Sequence, residues 1–142
     1  MTKTIEATLP EVDGVASCLL GLLPKDAIIF LDGDLAAGKT TLMRHIAQKI
    51  DPNFEVTSPT FSLQNCYSEH LFHYDLYRVE FADIAALGLL EEFEKSGWHF
   101  VEWGDDRLKE FLEGLGYNIW IINIKPLGDT KRLYTIEEIC TN

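Results

Sequence analysis

The sequence predicts an α/β domain built on a mixed sheet flanked by helices. Three observations carry this expectation. Short apolar runs alternate with stretches of helical periodicity, the pattern of layered α/β folds. One such run, Ala27–Leu31, feeds directly into a small-residue loop and then a helix. The 142 residues are about the size of one domain, and no repeat, low-complexity tract or linker divides them.

Each element follows in order. Thr4–Leu9 alternates polar and apolar residues as a strand does, and Pro10 closes it. Val12, Val15, Ala16, Leu19, Leu20 and Leu23 recur at helical spacing, so Val12–Leu23 is an amphipathic helix with Asp13 as its N-cap candidate. Pro24-Lys25-Asp26 turns the chain into Ala27–Leu31, apolar throughout and therefore a strand buried on both faces. Residues 33–38 form a loop, and Lys39–Ile50 a helix stopped by Asp51-Pro52-Asn53. Phe54–Thr57, Phe61–Tyr67 and Leu71–Tyr77 are short strands divided by turn residues. Glu80–Lys95 returns to helix, with Phe81, Ile84, Ala85, Gly88, Leu89 and Phe93 inward. Trp98–Trp103 is a strand, Asp105–Leu112 a helix, Tyr117–Ile124 a strand, and Lys131–Ile136 a weaker last strand.

Composition narrows the function classes. At 46 % hydrophobic and 25 % charged the chain is ordinary globular protein. Its apolar runs are far short of the ~18 residues of a membrane span, and the N-terminus lacks a signal peptide's apolar core, so a cytoplasmic protein without a membrane partner is expected. Twelve basic and twenty-three acidic side chains give a net charge of −11, which repels nucleic-acid phosphates; contact with RNA would come through a partner. Cys18, Cys66 and Cys140 have no metal-ligand spacing and are taken as structural in a reducing compartment. His45 and His99 are taken as surface or packing residues, and Trp98 and Trp120 as fillers of core or edge.

The strongest chemical signal is Gly33-Asp34-Leu35-Ala36-Ala37-Gly38-Lys39-Thr40, which fits G-x-x-x-x-G-K-[ST] in full. Small residues let successive backbone N–H groups turn inward around a phosphate. Gly38 tolerates backbone angles and a close approach that other residues do not. Lys39 brings a point charge to the β- and γ-oxygens, the Thr40 hydroxyl suits magnesium, and the helix that begins there aims its positive end at the anion. The expected fold is therefore a single P-loop NTPase domain over residues 1–142.

Hydrolysis also needs a carboxylate that organises magnesium and a group that places water. Glu102 ends a buried-type strand in the Walker B manner, with a solvated strand end as the alternative. In His73-Tyr74-Asp75-Leu76-Tyr77-Arg78 an extended backbone puts His73 and Asp75 on one face and Tyr74 on the other. Asp75 is either a group that orients the nucleophile or metal-bound water, or half of a structural pair with Arg78. Thr57-Ser58-Pro59-Thr60 lies where GTPase-like proteins keep a γ-phosphate-sensing segment.

Together, GDLAAGKTT (Gly33–Thr41), SPTF (Ser58–Phe61), HYDLYR (His73–Arg78), Leu87-Gly88 followed by Glu91, and VEW (Val101–Trp103) resemble the TsaE (YjeE) family of ATPases of tRNA threonylcarbamoyladenosine biosynthesis. The resemblance covers roughly residues 5–125, and HYDLYR and VEW are absent from P-loop proteins in general. It implies an ATP hydrolase, weak alone, that uses magnesium and works with the TsaB–TsaD pair in modifying the adenosine beside the tRNA anticodon. Tuned by that resemblance, the phosphate-binding set is Gly33 to Thr41, with Lys39, Asp75 and Glu102 catalytic. Thr40 and Glu102 are metal ligands, Thr60 a switch residue, and Trp103 a neighbour of the nucleotide. Ala36 stands where the family loop carries glycine, and costs on the order of 1 kcal/mol if that site needs positive φ. Val12-Asp13 stands where the family opens its first helix with Thr. A small-molecule kinase and a nucleotide-gated binding module are the competing readings.

Overall fold

The computed structural model describes residues 2–34, 38–53 and 63–139. In chain order they form β1 (Thr2–Thr8), α1 (Val12–Leu22), β2 (Ala27–Asp32), α2 (Lys39–Ile50), β3 (Gln64–Ser68), β4 (Leu71–Asp75) and α3 (Phe81–Ala86). β5 (Trp98–Glu102), α4 (Asp106–Gly114), β6 (Ile119–Leu127) and β7 (Lys131–Ile139) follow, with 3-10 turns at Leu9–Glu11 and Leu89–Glu94.

The seven described strands form one mixed sheet in the order β1-β7-β6-β2-β5-β4-β3. β2 sits at its centre because Ala27–Leu31 is apolar on both faces and buried throughout. It runs parallel to β5 and β6, and β4 runs parallel to β5. The outer pairs β1–β7, β6–β7 and β3–β4 are antiparallel. The period of two divides the core cleanly. Ile29 and Leu31 face α1 and α2, against Ala16, Leu19, Met43 and Ile46. Ile28 and Phe30 face the other layer, against Ile84, Phe93, Leu108 and Leu112. This is the predicted α/β fold with helices on both sides of the sheet.

Strand ends shift by a few residues, as where β6 runs on to Leu127, and four differences have a clear physical cause. The helix expected over Glu80–Lys95 is two short pieces, because Gly88 takes a left-handed φ of 76° and ends the first. Ile84 and Phe93 are buried as expected, whereas Ala85 and Gly88 are exposed. β4 stops at Asp75 instead of Tyr77: the Asp75 carboxylate accepts the Tyr77 backbone N–H at 3.1 Å and turns the chain. Asp13 does not cap α1. Thr8 opens the segment instead, giving its N–H and hydroxyl to Glu11 at 2.8 Å each, while Asp13 reaches Lys49 and His45 of α2. β7 runs on to Ile139 because it pairs with both β6 and β1. The strand expected at Phe54–Thr57 lies outside the described residues.

Candidate functional site

Parallel pairing of β2, β4 and β5 brings their C-terminal ends to one edge of the sheet. The register sets Glu102 opposite both Leu31 and Asp75, and β2 ends one residue before Gly33. α2 starts at Lys39, with Gly38 as its N-cap at φ 101°. Among the described residues a Cβ at Gly38 would meet nothing within 4 Å, so what calls for glycine there is the backbone angle. Of the phosphate-loop candidates, Gly33, Asp34, Gly38, Lys39, Thr40 and Thr41 are described; Leu35, Ala36, Ala37 and Thr60 lie outside the described residues.

Lys39 is the centre of the group. It is 3 % exposed, donates from Nζ to the Gly33 carbonyl at 2.7 Å, and stands 3.5 Å from the centroid of the Trp103 ring. Burial lowers its amine pKa, while Glu102, Asp75, Asp32 and Asp34 pull it back up. Trp103 is held from behind. Its φ of 62° is a conformation few non-glycine residues adopt, and the Tyr77 ring lies 5.1 Å from it. Arg78, at φ 60°, places its guanidinium 5.1 Å from the Tyr77 ring. Both non-glycine residues with positive φ among those described thus flank the same edge, where strained backbone tends to gather. The residue after Trp103 must be glycine: a Cβ on Gly104 would stand 2.4 Å from the Phe30 ring. The end of β5 is thereby pressed onto β2.

The acids behave differently from one another. Glu102 is buried at 4 % exposure and bonded through Oε2 to Nε2 of His73, itself fully buried. This sets aside the solvated strand end. His73 in turn meets the Tyr67 hydroxyl through Nδ1 at 2.8 Å. Asp75 is half-buried, and among the described residues no ion pair joins it to Arg78. His73 and Asp75 do share a face, and Tyr74 turns to the other, where it is hydrogen-bonded to His99 at 2.7 Å. His99 donates from Nε2 to the Lys95 carbonyl and stacks on Phe72, and burial lowers its pKa, so it is a neutral packing group. His45 lies at the α1–α2 surface beside Asp13.

Two features escape a linear reading. One is the Tyr67–His73–Glu102 chain, for which only the alternation of HYD gave a hint. The other is a cleft of about 440 Å³ beside the start of α2, walled by Thr8, Pro10, Gly38, Thr41, Arg132 and Tyr134. Its walls come from both chain ends, brought together by β1–β7 pairing. The signal available was Thr8-x-x-Glu11, the spacing of a capping box.

The donor set suits a nucleotide carried with magnesium. Among the described residues no cluster of three or more His, Cys, Asp or Glu stands ready to hold an ion. What the edge offers is one buried carboxylate and the hydroxyl of Thr40 beside a helix N-terminus, and magnesium is commonly bound by one or two carboxylates together with substrate phosphates.

The family model described as "Threonylcarbamoyl adenosine biosynthesis protein TsaE" matches residues 7–133. A tRNA threonylcarbamoyladenosine biosynthesis protein TsaE from Treponema pallidum is 33 % identical over 118 residues, covering 81 % of this chain and 84 % of that protein. The TsaE of Bacillus subtilis is 33 % identical over 132 residues, covering 91 % and 80 %. With the Nostoc TsaE the match is 37 % over 92 residues, and spans only 57 % of that relative's length. The crystal structure of Bacillus subtilis YdiB superimposes with a TM-score of 0.69 at 28 % identity, covering 99 % of this chain and 88 % of that one.

Proposed function

The chain belongs to the TsaE family of tRNA threonylcarbamoyladenosine biosynthesis proteins, and on that premise we propose that it is a Mg-ATP hydrolase working with TsaB and TsaD. The observation that carries the proposal is Lys39, a buried cation at the first residue of α2, held by the Gly33 carbonyl and facing Glu102 and Asp75. A buried amine so placed suits a phosphate-binding lysine waiting for its anion.

The roles follow from the chemistry of each group. Backbone N–H groups from Gly33 to Thr41 and the positive end of α2 would hold the phosphates, with Lys39 exchanging the Gly33 carbonyl for phosphate oxygen. Thr40 and Glu102 would hold magnesium, which supplies charge neutralisation at the transferring phosphoryl group when bound. Asp75 would orient the attacking water, Trp103 would border the phosphates, and Thr60 would answer to the γ-phosphate. The cleft beside Thr41 would take the nucleoside. With a net charge of −11, contact with tRNA would fall to the partners, in a cytoplasmic assembly.

The test is ATP hydrolysis by the purified chain, alone and with TsaB–TsaD, with Lys39→Ala and Asp75→Ala beside it. Slow turnover alone, stimulation by the pair and loss in both variants is the expected result. Nucleotide binding without stimulation would replace the hydrolase by a nucleotide-gated module.

A further inference from the structure

His73 has no task in the roles just given, yet it is fully buried and bonded at both ring nitrogens. We propose that His73 is a positioning residue, which fixes one oxygen of Glu102 so that the other stays available to a magnesium ion. This rests on the hydrolase reading above.

The sheet builds the arrangement from three adjacent strands. Tyr67 stands on β3, His73 on β4 and Glu102 on β5. His73 lies opposite Phe100 and Asp75 opposite Glu102, so the His73–Glu102 bond runs diagonally between same-face positions two residues apart. The face is the one covered by α2, the helix that begins with Lys39. The direction of the bond to Glu102 is set by the acid. Asn65 hydrogen-bonds the Tyr67 oxygen, and burial raises the Tyr67 pKa, so the phenol keeps its proton. An ionised carboxylate oxygen only accepts, so Nε2 of His73 is the donor to Glu102 Oε2, while Nδ1 is hydrogen-bonded to the Tyr67 hydroxyl. Asn65, Tyr67, His73 and Glu102 thus form one hydrogen-bonded line ending on a single carboxylate oxygen.

Packing alone does not call for such a line. Apolar replacement of a whole set of buried polar groups is often neutral or stabilising, whereas removing one member leaves the other, here the buried Glu102 carboxylate, without its partner. What the line does is restrict Glu102 at the edge where Lys39 and Asp75 also stand. Partners of this kind behind a metal ligand commonly matter 10–100-fold for metal affinity.

A pair of near-isosteric variants isolates this role. The amide nitrogen of Gln falls near the place of Nε2, and the polar atoms of Asn near that of Nδ1. His73→Gln therefore keeps a donor for Glu102, and His73→Asn keeps only the Tyr67 side. Mn²⁺ is titrated into the full chain saturated with ADP, and ADP affinity is measured separately in EDTA. His73→Asn is expected to weaken Mn²⁺ binding about tenfold or more, with metal-free ADP affinity within about twofold and His73→Gln within about threefold of the parent. Should His73→Asn fail to fold, Tyr67→Phe serves, with a smaller loss in the same direction. Unchanged Mn²⁺ affinity, or equal losses in the Gln and Asn variants, overturns the inference while leaving the hydrolase reading intact. A parent chain whose ADP complex takes up no Mn²⁺ overturns both.

Discussion

Replacing Gly104 by Ala tests whether the site is held by the contact between β5 and β2. An added methyl would stand 2.4 and 2.7 Å from Phe30 Cε2 and Cδ2, and 3.0 Å from a Val101 methyl. Ordinary carbon contacts lie at about 3.5–4.0 Å, so roughly 1 Å must be opened. Phe30 cannot yield cheaply, being fully buried in the central strand. Overpacking of this kind costs about 1–3 kcal/mol. At about 3 °C per kcal/mol for a chain of this size, the Tm should fall by roughly 3–9 °C. The backbone that moves is the one that seats Trp103 over Lys39, so the variant should also bind ADP more weakly. Gly21→Ala is the control: it is exposed in α1 with nothing within 4 Å of its Cβ, and should stabilise by about 0.5–1 kcal/mol. Thermal melts of both variants, of Phe30→Leu, and of Gly104→Ala combined with Phe30→Leu complete the assay. The double variant should lose less than the two single losses added. Additive losses, or a Gly104→Ala chain that melts with the parent, would refute the argument.

Other consequences are simpler. Burial lowers the His99 pKa below its ordinary 6.5, so between 6.5 and that lowered value the unfolded chain binds a proton that the folded chain does not. Stability should therefore fall as pH drops through this window and level off below it; urea unfolding at pH 7.5 and 5 should show a shallower fall for His99→Asn. Nucleotide that draws Lys39 off the Trp103 ring removes a cation 3.5 Å from an indole, so ADP should change tryptophan emission in the parent chain and leave it unchanged in Trp103→Phe.

Local pattern made much of the fold legible. Five consecutive apolar residues identified the central strand, and the loop spacing placed the start of α2 at Lys39. The alternation in HYD put His73 and Asp75 on one face, as found. What local pattern could not supply was anything fixed by distant pairing. The Thr8–Gly38–Tyr134 cleft depends on β1 crossing to β7, and the Tyr67–His73–Glu102 line on three adjacent strands, with Tyr67 at the register shift between β3 and β4. The helix over Glu80–Lys95 fails for another reason: helical spacing makes Gly88 a small inward residue, whereas its left-handed conformation ends the helix.

The charges at the edge constrain which anion fits there. Asp32, Asp34, Asp75 and Glu102 all act on Lys39, and Lys109 stands 3.9 Å from Asp32. Acidic groups outnumber these amines, so a bare phosphate would meet repulsion from the same carboxylates that hold Lys39 charged. Two features offset this repulsion: the N-terminus of α2, and the Glu102–His73 bond, which among the described residues engages Oε2 alone and on the positioning proposed above keeps the other oxygen for a cation. An anion that arrives with its own divalent cation satisfies the acids and the lysine together. A P-loop edge this rich in carboxylate is thus better suited to metal-nucleotide than to free phosphate, and that preference is what the proposed Mg-ATP hydrolase requires.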